Sequence, residues 1–336
     1  MLKKILVTGG AGYIGSHVVK NLLKEDFSIL VIDNLSSGFI EPIEILKSKY
    51  KNLEFIKVDL SNKDLLEEIF AKEKIDAVMH FAAKVSVQES VDNPDLYHQE
   101  NFLNSINLIE AMSNAGVEKF IFSSSCVVYG TPQYTPIDEK HPTNPESPYG
   151  QTKLDFEKYL QKVSNLKSVI FRYFNVGGSD PEGRLGKSNI EREDLIANII
   201  KVALGQKQIL SIYGGDYDVQ DGTAIRDFVH VEDISQGHIL ALEKIDQVFG
   251  EIFNLGSGVG FSVKEIIDKA SIIIGKEIPT EMVERRIGDI PVSVASAQKV
   301  KEQLKWNPQY SDLDSIIRTD WNWRKKYPFG YEEKNE

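Results

Sequence analysis

The sequence predicts an α/β fold in which a parallel β-sheet carries helices on both faces and a smaller domain follows it. Two patterns support this prediction. Short apolar runs typical of buried strands alternate with segments whose apolar residues recur at helical spacing, and no hairpin turn joins successive runs in the first half of the chain. Strands separated by helices are joined by right-handed crossovers, so we expect a Rossmann-type, doubly wound parallel sheet.

Six apolar runs in the first half are interpreted as strands. They are residues 3–8 (KKILVT), 27–33 (FSILVID), 53–59 (LEFIKVD), 76–82 (DAVMHFA), 118–125 (EKFIFSSS) and 167–175 (KSVIFRYFN). Helical patterns lie between them. Apolar residues recur at helical spacing over 13–24, Ser61 is a candidate N-cap of the next helix, a long helix is predicted over 96–116, and another begins near Tyr149.

The pattern changes in the second half of the chain. Glycine and proline cluster at 177–186, and a second glycine-rich stretch spans 213–223. We therefore expect residues 1–175 to form the sheet domain and residues 176–336 to form a smaller, mixed α/β domain. A buried-strand pattern at 251–256 is expected to return to the main sheet.

Composition and charge narrow the class of protein. The 336 residues carry a formal net charge of −11, which argues against nucleic acid or an anionic membrane as a main partner, because both attract a basic face. The single cysteine, Cys126, excludes an intrachain disulfide, and the six histidines lack metal-ligand spacing, so no metal site is expected. The N-terminal run has no apolar segment long enough for a signal peptide or a membrane span. We expect a cytoplasmic enzyme or binding protein.

A dinucleotide site is predicted at the first turn of the sheet. TGGAGYIGS places Gly9, Gly12 and Gly15 between the first strand and the first helix. Glycines let the backbone approach a pyrophosphate, although a tight turn with close helix–strand packing would use the same residues. Asp33 ends the second strand, where a carboxylate accepts hydrogen bonds from the adenosine ribose and repels a 2′-phosphate, so NAD is favoured over NADP. Asp59 ends the third strand and either reaches the adenine amine or serves as a strand-end acid or helix N-cap.

A catalytic group is predicted around the segment SPYGQTK. Tyr149 and Lys153 lie four residues apart at the start of a predicted helix and therefore share one helix face. A free tyrosine titrates near pH ~10, so it needs nearby positive charge to act as a base at neutral pH. The Lys153 ammonium and the positive nicotinamide ring of NAD would favour the phenolate. Ser125 ends the fifth strand, and its hydroxyl can bridge substrate and tyrosine. The three residues indicate a general base beside a nicotinamide.

These motifs resemble the extended short-chain dehydrogenases/reductases, and among them the UDP-glucose/UDP-galactose 4-epimerases, over nearly the whole chain. The segments that carry the resemblance are TGGAGYIGS, VIDNLSSG, KVDL, HFAA, FSSSCVVYG, SPYGQTK, FRYFNVGG, DGTAIRDFVHVEDI, FNLGSGVGFSV and RRIGD. In this family NAD stays tightly bound and is regenerated in each turnover. The resemblance implies an isomerase of galactose metabolism that is a homodimer, with residues 1–175 holding NAD and residues 176–336 mainly holding the UDP-hexose.

The resemblance also implies which residues bind the two ligands. For NAD they are Gly9, Gly12, Tyr13, Ile14, Gly15, Asp33, Asn34, Asp59, Leu60, Phe81, Ala82, Ala83, Asn101, Ser123, Tyr149, Lys153 and Phe174. For the UDP-sugar they are Ser125, Asn175, Leu195, Arg226, Arg286, Asp289 and Ser293. The two arginines fit this assignment, because guanidinium groups bind a diphosphate well, although surface ion pairs would also use them.

The catalytic roles follow from the same resemblance. Tyr149 takes the proton of the sugar 4-hydroxyl while a hydride passes from carbon 4 to NAD, and the 4-keto sugar then turns and receives the hydride on its other face. Ser125 hydrogen-bonds the 4-oxygen. Lys153 binds the nicotinamide ribose and lowers the tyrosine pKa. A small residue at Ser293 leaves space for a 2-acetamido group, so UDP-N-acetylglucosamine and UDP-N-acetylgalactosamine are expected as additional substrates.

Several positions depart from the family pattern. Asp194 stands where an amide or histidine is common, so we expect its segment to be placed differently, and Phe228 replaces a common tyrosine. The role of Lys84 is left open. The alternatives are a sister enzyme (a uronate 4-epimerase, decarboxylase or dehydratase) and a non-enzymatic NAD-binding regulator. Dehydratases place an Asp-Glu pair where this chain has Cys126 and Val127, and the complete set of catalytic residues argues against a regulator.

Overall fold

The computed structural model describes residues 4–188, 194–285 and 289–331, and the first half alternates strands and helices as predicted. Its strands are β1 (Lys4–Thr8), β2 (Ser28–Asp33), β3 (Leu53–Lys57), β4 (Ala77–His80), β5 (Lys119–Ser125) and β6 (Lys167–Tyr173). Its α-helices are α1 (Tyr13–Lys24), α2 (Glu41–Lys47), α3 (Lys63–Lys72), α4 (Val87–Asp92), α5 (Pro94–His98), α6 (Asn104–Asn114) and α7 (Pro148–Leu160).

The second half supplies shorter strands and a second group of helices. The strands are β7 (Asn175–Gly177), β8 (Leu210–Tyr213), β9 (Ile225–His230), β10 (Ile252–Leu255), β11 (Gly260–Ser262), β12 (Thr280–Val283) and β13 (Val292–Ser293). The helices are α8 (Leu195–Ala203), α9 (Val231–Glu243), α10 (Ile245–Val248), α11 (Val263–Ile274), α12 (Gln298–Leu304) and α13 (Leu313–Lys326). In the described ranges, no helix is both long and apolar enough to cross a membrane.

Seven strands of the described residues form one parallel sheet in the order β10-β6-β5-β4-β1-β2-β3, which confirms the predicted doubly wound fold. Alternate residues of each strand point to opposite faces. In β1, Ile5 and Val7 pack into a core layer with α1 and α9, while Leu6 packs into a second layer with α3, α6 and α7. Burial on both faces explains why these strands read as continuous apolar runs.

The long helix predicted over 96–116 is interrupted. It consists of α5, a π-helical turn at Gln99–Leu103, and α6. The turn places Asn101 so that its side chain pairs with the backbone of Lys84 in both directions, at 2.8 Å from the Lys84 N–H and 2.9 Å from the Lys84 carbonyl. A π-helical turn holds about one residue more than an α-helical turn. The spacing of apolar residues does not reveal this insertion, so the sequence pattern indicated one continuous helix.

The strand expected at 251–256 is β10, which pairs in parallel with β6 and forms an edge of the main sheet. Phe253 on β10 is fully buried, with its ring centroid 5.9 Å from that of Phe171 on β6. The remaining second-half elements build a separate apolar layer among α8, α11 and α13, next to the small sheet of β7, β9, β11 and β13. The second half therefore completes the first-half sheet as well as forming its own core.

Replacing Phe253 with alanine tests the contribution of β10 to the main core. We expect Phe253→Ala to lower the free energy of unfolding by about 3–5 kcal/mol, because a fully buried phenyl group is lost and a cavity remains. Phe249→Ala is the matched control, since the Phe249 side chain is 53% exposed. Urea unfolding followed by fluorescence measures both variants. Equal losses in the two would contradict the assignment of β10 to the core.

Candidate active site

A cavity of about 680 Å³ lies along the carboxyl ends of the parallel strands and extends to the second half of the chain. Most of the residues predicted to bind ligands line it. They are Gly9, Gly12, Tyr13, Ile14, Gly15, Asp33, Asn34, Asp59, Leu60, Phe81, Ala82, Ala83, Ser123, Ser125, Tyr149, Lys153, Phe174, Asn175, Leu195, Arg226 and Asp289. Asn101 and Ser293 are buried outside this lining, and Arg286 lies outside the described residues.

The glycine-rich turn fits a pyrophosphate because it leaves no room for side chains and leaves the first turn of α1 without a side-chain cap. Gly9 has a φ of +68°, and a Cβ there would lie 2.5 Å from the backbone nitrogen of Ala82. A Cβ at Gly15 would lie 2.2 Å from the carbonyl oxygen of Gly9. Gly12 is the N-cap of α1 and offers no side-chain acceptor to the first turn, so these N–H groups can bind an anion.

The second strand places its terminal carboxylate against this turn. Asp33 accepts hydrogen bonds from Ala11 N–H at 3.1 Å and Leu35 N–H at 2.8 Å. Burial raises the pKa of Asp33, and the two N–H donors offset part of that effect. The carboxylate is therefore fixed beside the glycine-rich turn, where an adenosine ribose would lie.

Asp59 follows β3 and is held by its own neighbours. It accepts hydrogen bonds from Asn34 Nδ2 at 2.6 Å and from Ser61 N–H at 2.8 Å. Burial opposes its ionisation, but the donors at Ser61 and Asn34 outweigh burial and lower its pKa. Glu100 also lines the cavity, although no sequence motif indicated it. Burial and then the charge of Asp59 raise the pKa of Glu100, and the π-helical turn that places Glu100 there has no signal in the sequence.

The residues of SPYGQTK are positioned by an N-capped helix. Ser147 caps α7 by accepting a hydrogen bond from Gly150 N–H, and Pro148 occupies the first turn. Tyr149 and Lys153 lie on the buried face, one helical turn apart, as the spacing predicted. The ring of Tyr149 is 8% exposed and makes an edge contact with Tyr97.

Lys153 is more deeply buried than its neighbour tyrosine. Its ammonium donates to the carbonyl of Ser123 at 2.9 Å and lies 4.9 Å from the ring centroid of Phe122 and 6.0 Å from that of Tyr149. Burial lowers the pKa of Lys153 to about 7, and the charge of Glu157 opposes this effect. A lysine poised near neutrality can respond to a bound ligand, which suits a site that handles protons.

Ser125 ends β5 at the cavity and begins the short 3₁₀ turn Cys126–Tyr129. Its Oγ accepts a hydrogen bond from Val127 N–H at 3.4 Å, so the hydroxyl keeps a proton that it can donate to a ligand. Burial raises the pKa of Cys126 to about 12. The thiol next to Ser125 therefore stays protonated and is not an acid–base group at neutral pH.

The second half contributes cationic and apolar groups to the same cavity. Arg226 on β9 lies 3.3 Å from the carboxylate of Asp289. The side-chain amide of Asn175 donates a hydrogen bond to the carbonyl of Asp227 at 2.9 Å, which fixes its orientation. The buried ring of Phe228 also lines the cavity. Several other lining residues lie between recognisable motifs and were not predicted from the sequence, namely Lys187, Asn198, Lys207, Leu210 and Tyr213.

Asp194 lines the cavity directly before α8. Its carboxylate caps the helix by accepting a hydrogen bond from Ala197 N–H at 2.7 Å and forms an ion pair with Lys187. Its negative charge is therefore compensated. Lys84 lines the cavity too, and its ammonium lies 3.7 Å from Glu89.

Two predicted ligand residues lie behind the lining. Asn101 holds the Lys84 backbone and comes within 3.3 Å of the Thr152 hydroxyl. Ser293 is 5% exposed on β13, directly beside Arg226 in the β13–β9 pairing. Each therefore supports a segment that itself faces the cavity.

Known proteins share this architecture and sequence. The model of the NAD dependent epimerase/dehydratase family matches residues 5–256. A UDP-glucose 4-epimerase of Halalkalibacterium halodurans is 41% identical over 99% of this chain and 98% of its own length. The structure of a Bifidobacterium longum UDP-glucose 4-epimerase with NAD+ and UDP superposes with a TM-score of 0.92 at 35% identity, over 98% of this chain and all of that chain.

A relative with a wider sugar range is also similar. The UDP-Glc/GlcNAc 4-epimerase of Campylobacter jejuni has a TM-score of 0.86 and 40% identity, over 96% of this chain and 99% of its own. The glycine-rich turn, the strand-end carboxylates and the Ser125, Tyr149 and Lys153 group occupy one cavity in the matched region. From the family match and the relatives that align over nearly its full length, we conclude that the chain belongs to the NAD-dependent epimerase/dehydratase family.

Proposed function

We propose that this protein is an NAD-dependent nucleotide-sugar 4-epimerase that interconverts UDP-glucose and UDP-galactose. The observation that carries the proposal is the meeting of Ser125, Tyr149 and Lys153 in the same cavity as a glycine-rich dinucleotide turn and a cationic second half. The similar proteins named above are UDP-glucose 4-epimerases, and one has a structure with NAD+ and UDP. The residues fit NAD through the glycine-rich turn and Asp33.

The chain's own residues account for proton movement at the sugar. When bound, NAD supplies the hydride acceptor and donor for carbon 4. Ser125 orients the 4-hydroxyl, and Tyr149 removes its proton and returns it when the opposite configuration forms. The Lys153 ammonium, 6.0 Å from the tyrosine ring centroid, favours the phenolate and binds the ribose of the dinucleotide. Burial of the group excludes water that would compete for the proton.

The sugar nucleotide is assigned to the second half of the cavity. Arg226 would bind the diphosphate together with Arg286, while Leu195, Asn175 and Asp289 would contact the remainder of the UDP-sugar. Residues 1–175 would then hold NAD, with β10 completing their sheet, and residues 176–336 would mainly hold the substrate. The cytoplasmic location expected from the sequence stays a prediction.

The epimerase is favoured over its sister enzymes by the groups that follow Ser125. A 4,6-dehydratase needs acid–base groups there, and this chain has the protonated thiol of Cys126 and the apolar Val127. The relatives that align over nearly the full length are 4-epimerases. A non-enzymatic regulator would not need the complete set of Ser125, Tyr149 and Lys153.

Tyr149→Phe tests the base and the reaction together. We expect wild-type protein to convert UDP-galactose without added nucleotide and to release NAD on denaturation. Tyr149→Phe should keep its NAD but lose roughly 10²–10⁴-fold in turnover, because proton transfer by a positioned base is lost. Tyr159→Phe, on the same helix and outside the cavity lining, is the control. Near-normal turnover in Tyr149→Phe would refute the base assignment.

Sugar range is tested at Ser293. We propose that its small side chain, buried behind the cavity lining beside Arg226, keeps the cavity open to a 2-acetamido group, which a larger side chain there would obstruct. The Campylobacter jejuni relative supports a dual range. Ser293→Tyr should lower turnover of UDP-N-acetylglucosamine by roughly 100-fold or more and spare UDP-glucose, because the added ring excludes only the larger sugar. Ser293→Ala should keep both activities. Retained turnover of the acetylated sugar in Ser293→Tyr would contradict this role.

We also propose a homodimer formed by the helices over 87–114 together with α7. Ile109 is buried against the sheet, and Phe102 and Ile106 pack toward it, but Val91 and Leu103 expose 55% and 38% of their surface on neighbouring helices. We expect light scattering at micromolar concentration to show a dimer, and Leu103→Glu to shift it toward monomer. Ile272→Glu, at another exposed apolar site, should leave it unchanged. A wild-type monomer would refute the proposal.

A further inference from the structure

We propose that Glu157 is a positioning residue whose buried carboxylate fixes the catalytic elements relative to one another and supplies the counter-charge of Lys153. The proposal rests on the proposed epimerase function, which assigns no role to Glu157. Glu157 is 1% exposed and lies on α7, one helical turn after Lys153. A charged residue this deeply buried requires partners.

The carboxylate of Glu157 joins three elements of the main sheet domain. Its Oε1 accepts hydrogen bonds from Ser124 Oγ at 2.5 Å and Arg172 Nε at 3.0 Å. Its Oε2 accepts from Arg172 Nη2 at 2.5 Å. Ser124 is on β5 and Arg172 is on β6, and both side chains are nearly inaccessible to solvent. Bidentate pairing with a guanidinium fixes orientation as well as distance.

Each bonded partner is adjacent in sequence to a residue of the proposed site. Ser124 directly precedes Ser125, and Arg172 precedes Tyr173 and Phe174, which line the cavity. Glu157 itself shares the buried face of α7 with the base and the lysine. A displacement of this carboxylate would therefore move the ends of β5 and β6 relative to α7, and a small displacement is enough to reduce proton transfer.

The second effect of Glu157 is electrostatic. The Lys153 ammonium interacts with Tyr149 and Glu157 on its own helix and with His80 on β4. On β6, Arg172 bonds to Glu157, and Tyr173 interacts with Tyr149. Among the described residues, Glu157 is the one whose charge acts to keep Lys153 protonated against burial.

The other groups around Lys153 cannot replace that negative charge. His80 hydrogen-bonds Thr8 and Ser105, and burial followed by the charge of Lys153 lowers its pKa to about 3, so it is neutral. Burial raises the pKa of Tyr173 well above its usual range, so its phenol stays protonated. Without Glu157, the buried ammonium would have no compensating charge and would release its proton at lower pH.

The test compares holoenzyme variants over pH 6–10. Glu157→Gln keeps the shape of the side chain and removes its charge. We expect its kcat for UDP-galactose at pH 8 to fall about tenfold with little change in KM, and the alkaline limb of its kcat profile to move down by about 1 pH unit, because Lys153 loses its proton more readily. A purely structural role would lower kcat at every pH without moving the limb, and that result would overturn the proposal.

Two further variants separate charge from folding. Asp155→Asn on the same helix is the control, because the Asp155 carboxylate is only partly buried and accepts a hydrogen bond from Gln151. Its profile should match that of the wild type. Glu157→Gln leaves Arg172 as an unpaired buried cation, which destabilises the folded state. If the single variant does not fold, we expect the double variant Glu157→Gln/Arg172→Met to fold, because it removes both buried charges. Its alkaline limb should also be shifted, and an unshifted limb would overturn the proposal.

Unfolding gives a readout that does not require epimerase activity. The pKa of Lys153 is lower in the folded protein than in the unfolded chain, so the unfolded state binds more protons and stability rises with pH from about 7 toward 10. In Glu157→Gln this rise should begin at lower pH. If the wild type does not convert UDP-galactose, the proposed function fails while this measurement still decides the role of Glu157. The same onset in both proteins would refute it.

Discussion

Parallel pairing of the strands is the constraint on which the rest of the molecule depends. Because every strand of the main sheet runs the same way, all of the carboxyl ends meet at one edge. This geometry brings residues that are far apart in sequence to one cavity, namely Asp33, Ser125 and those that follow β6. The crossover helices are then placed with their N-termini at the same edge, which puts both the anion-binding turn of α1 and Tyr149 of α7 there.

Buried charges mark the positions where the two halves of the chain contact this edge. Lys20 on α1 is inaccessible to solvent and bonds to Asp180 at 3.0 Å and to Glu232, both from the second half. Close by, the hydroxyl of Tyr13 donates to the carbonyl of Gly178. Ionic groups like these require well-defined partners when they are buried, so they fix the second half against α1 with more directional precision than apolar contact gives.

The sequence predicted the sheet well because burial on both faces leaves a clear apolar run for each strand. It also predicted the glycine-rich turn and Tyr149 with Lys153, since each is a local pattern whose spacing has a geometric meaning. The sequence did not indicate Glu100, because the π-helical turn that places it at the cavity has no signal in the apolar spacing. It did not indicate Lys207, because no periodicity reveals the fold of the second half that brings this residue to the cavity. For Ser293 and Asn101, the family resemblance predicted a ligand contact, but neither side chain lines the cavity. A match to a family position therefore does not establish that a side chain reaches the cavity surface.

The position of β10 has a consequence for biosynthesis. The strand that covers the open edge of β6 leaves the ribosome only after α8, β8, β9 and α9 have been made. At about 5–20 residues per second, the growing chain exposes an unprotected strand edge for several seconds. An exposed edge of this kind can pair with another chain, so the nascent protein passes through a period in which it is most susceptible to aggregation and most in need of chaperones.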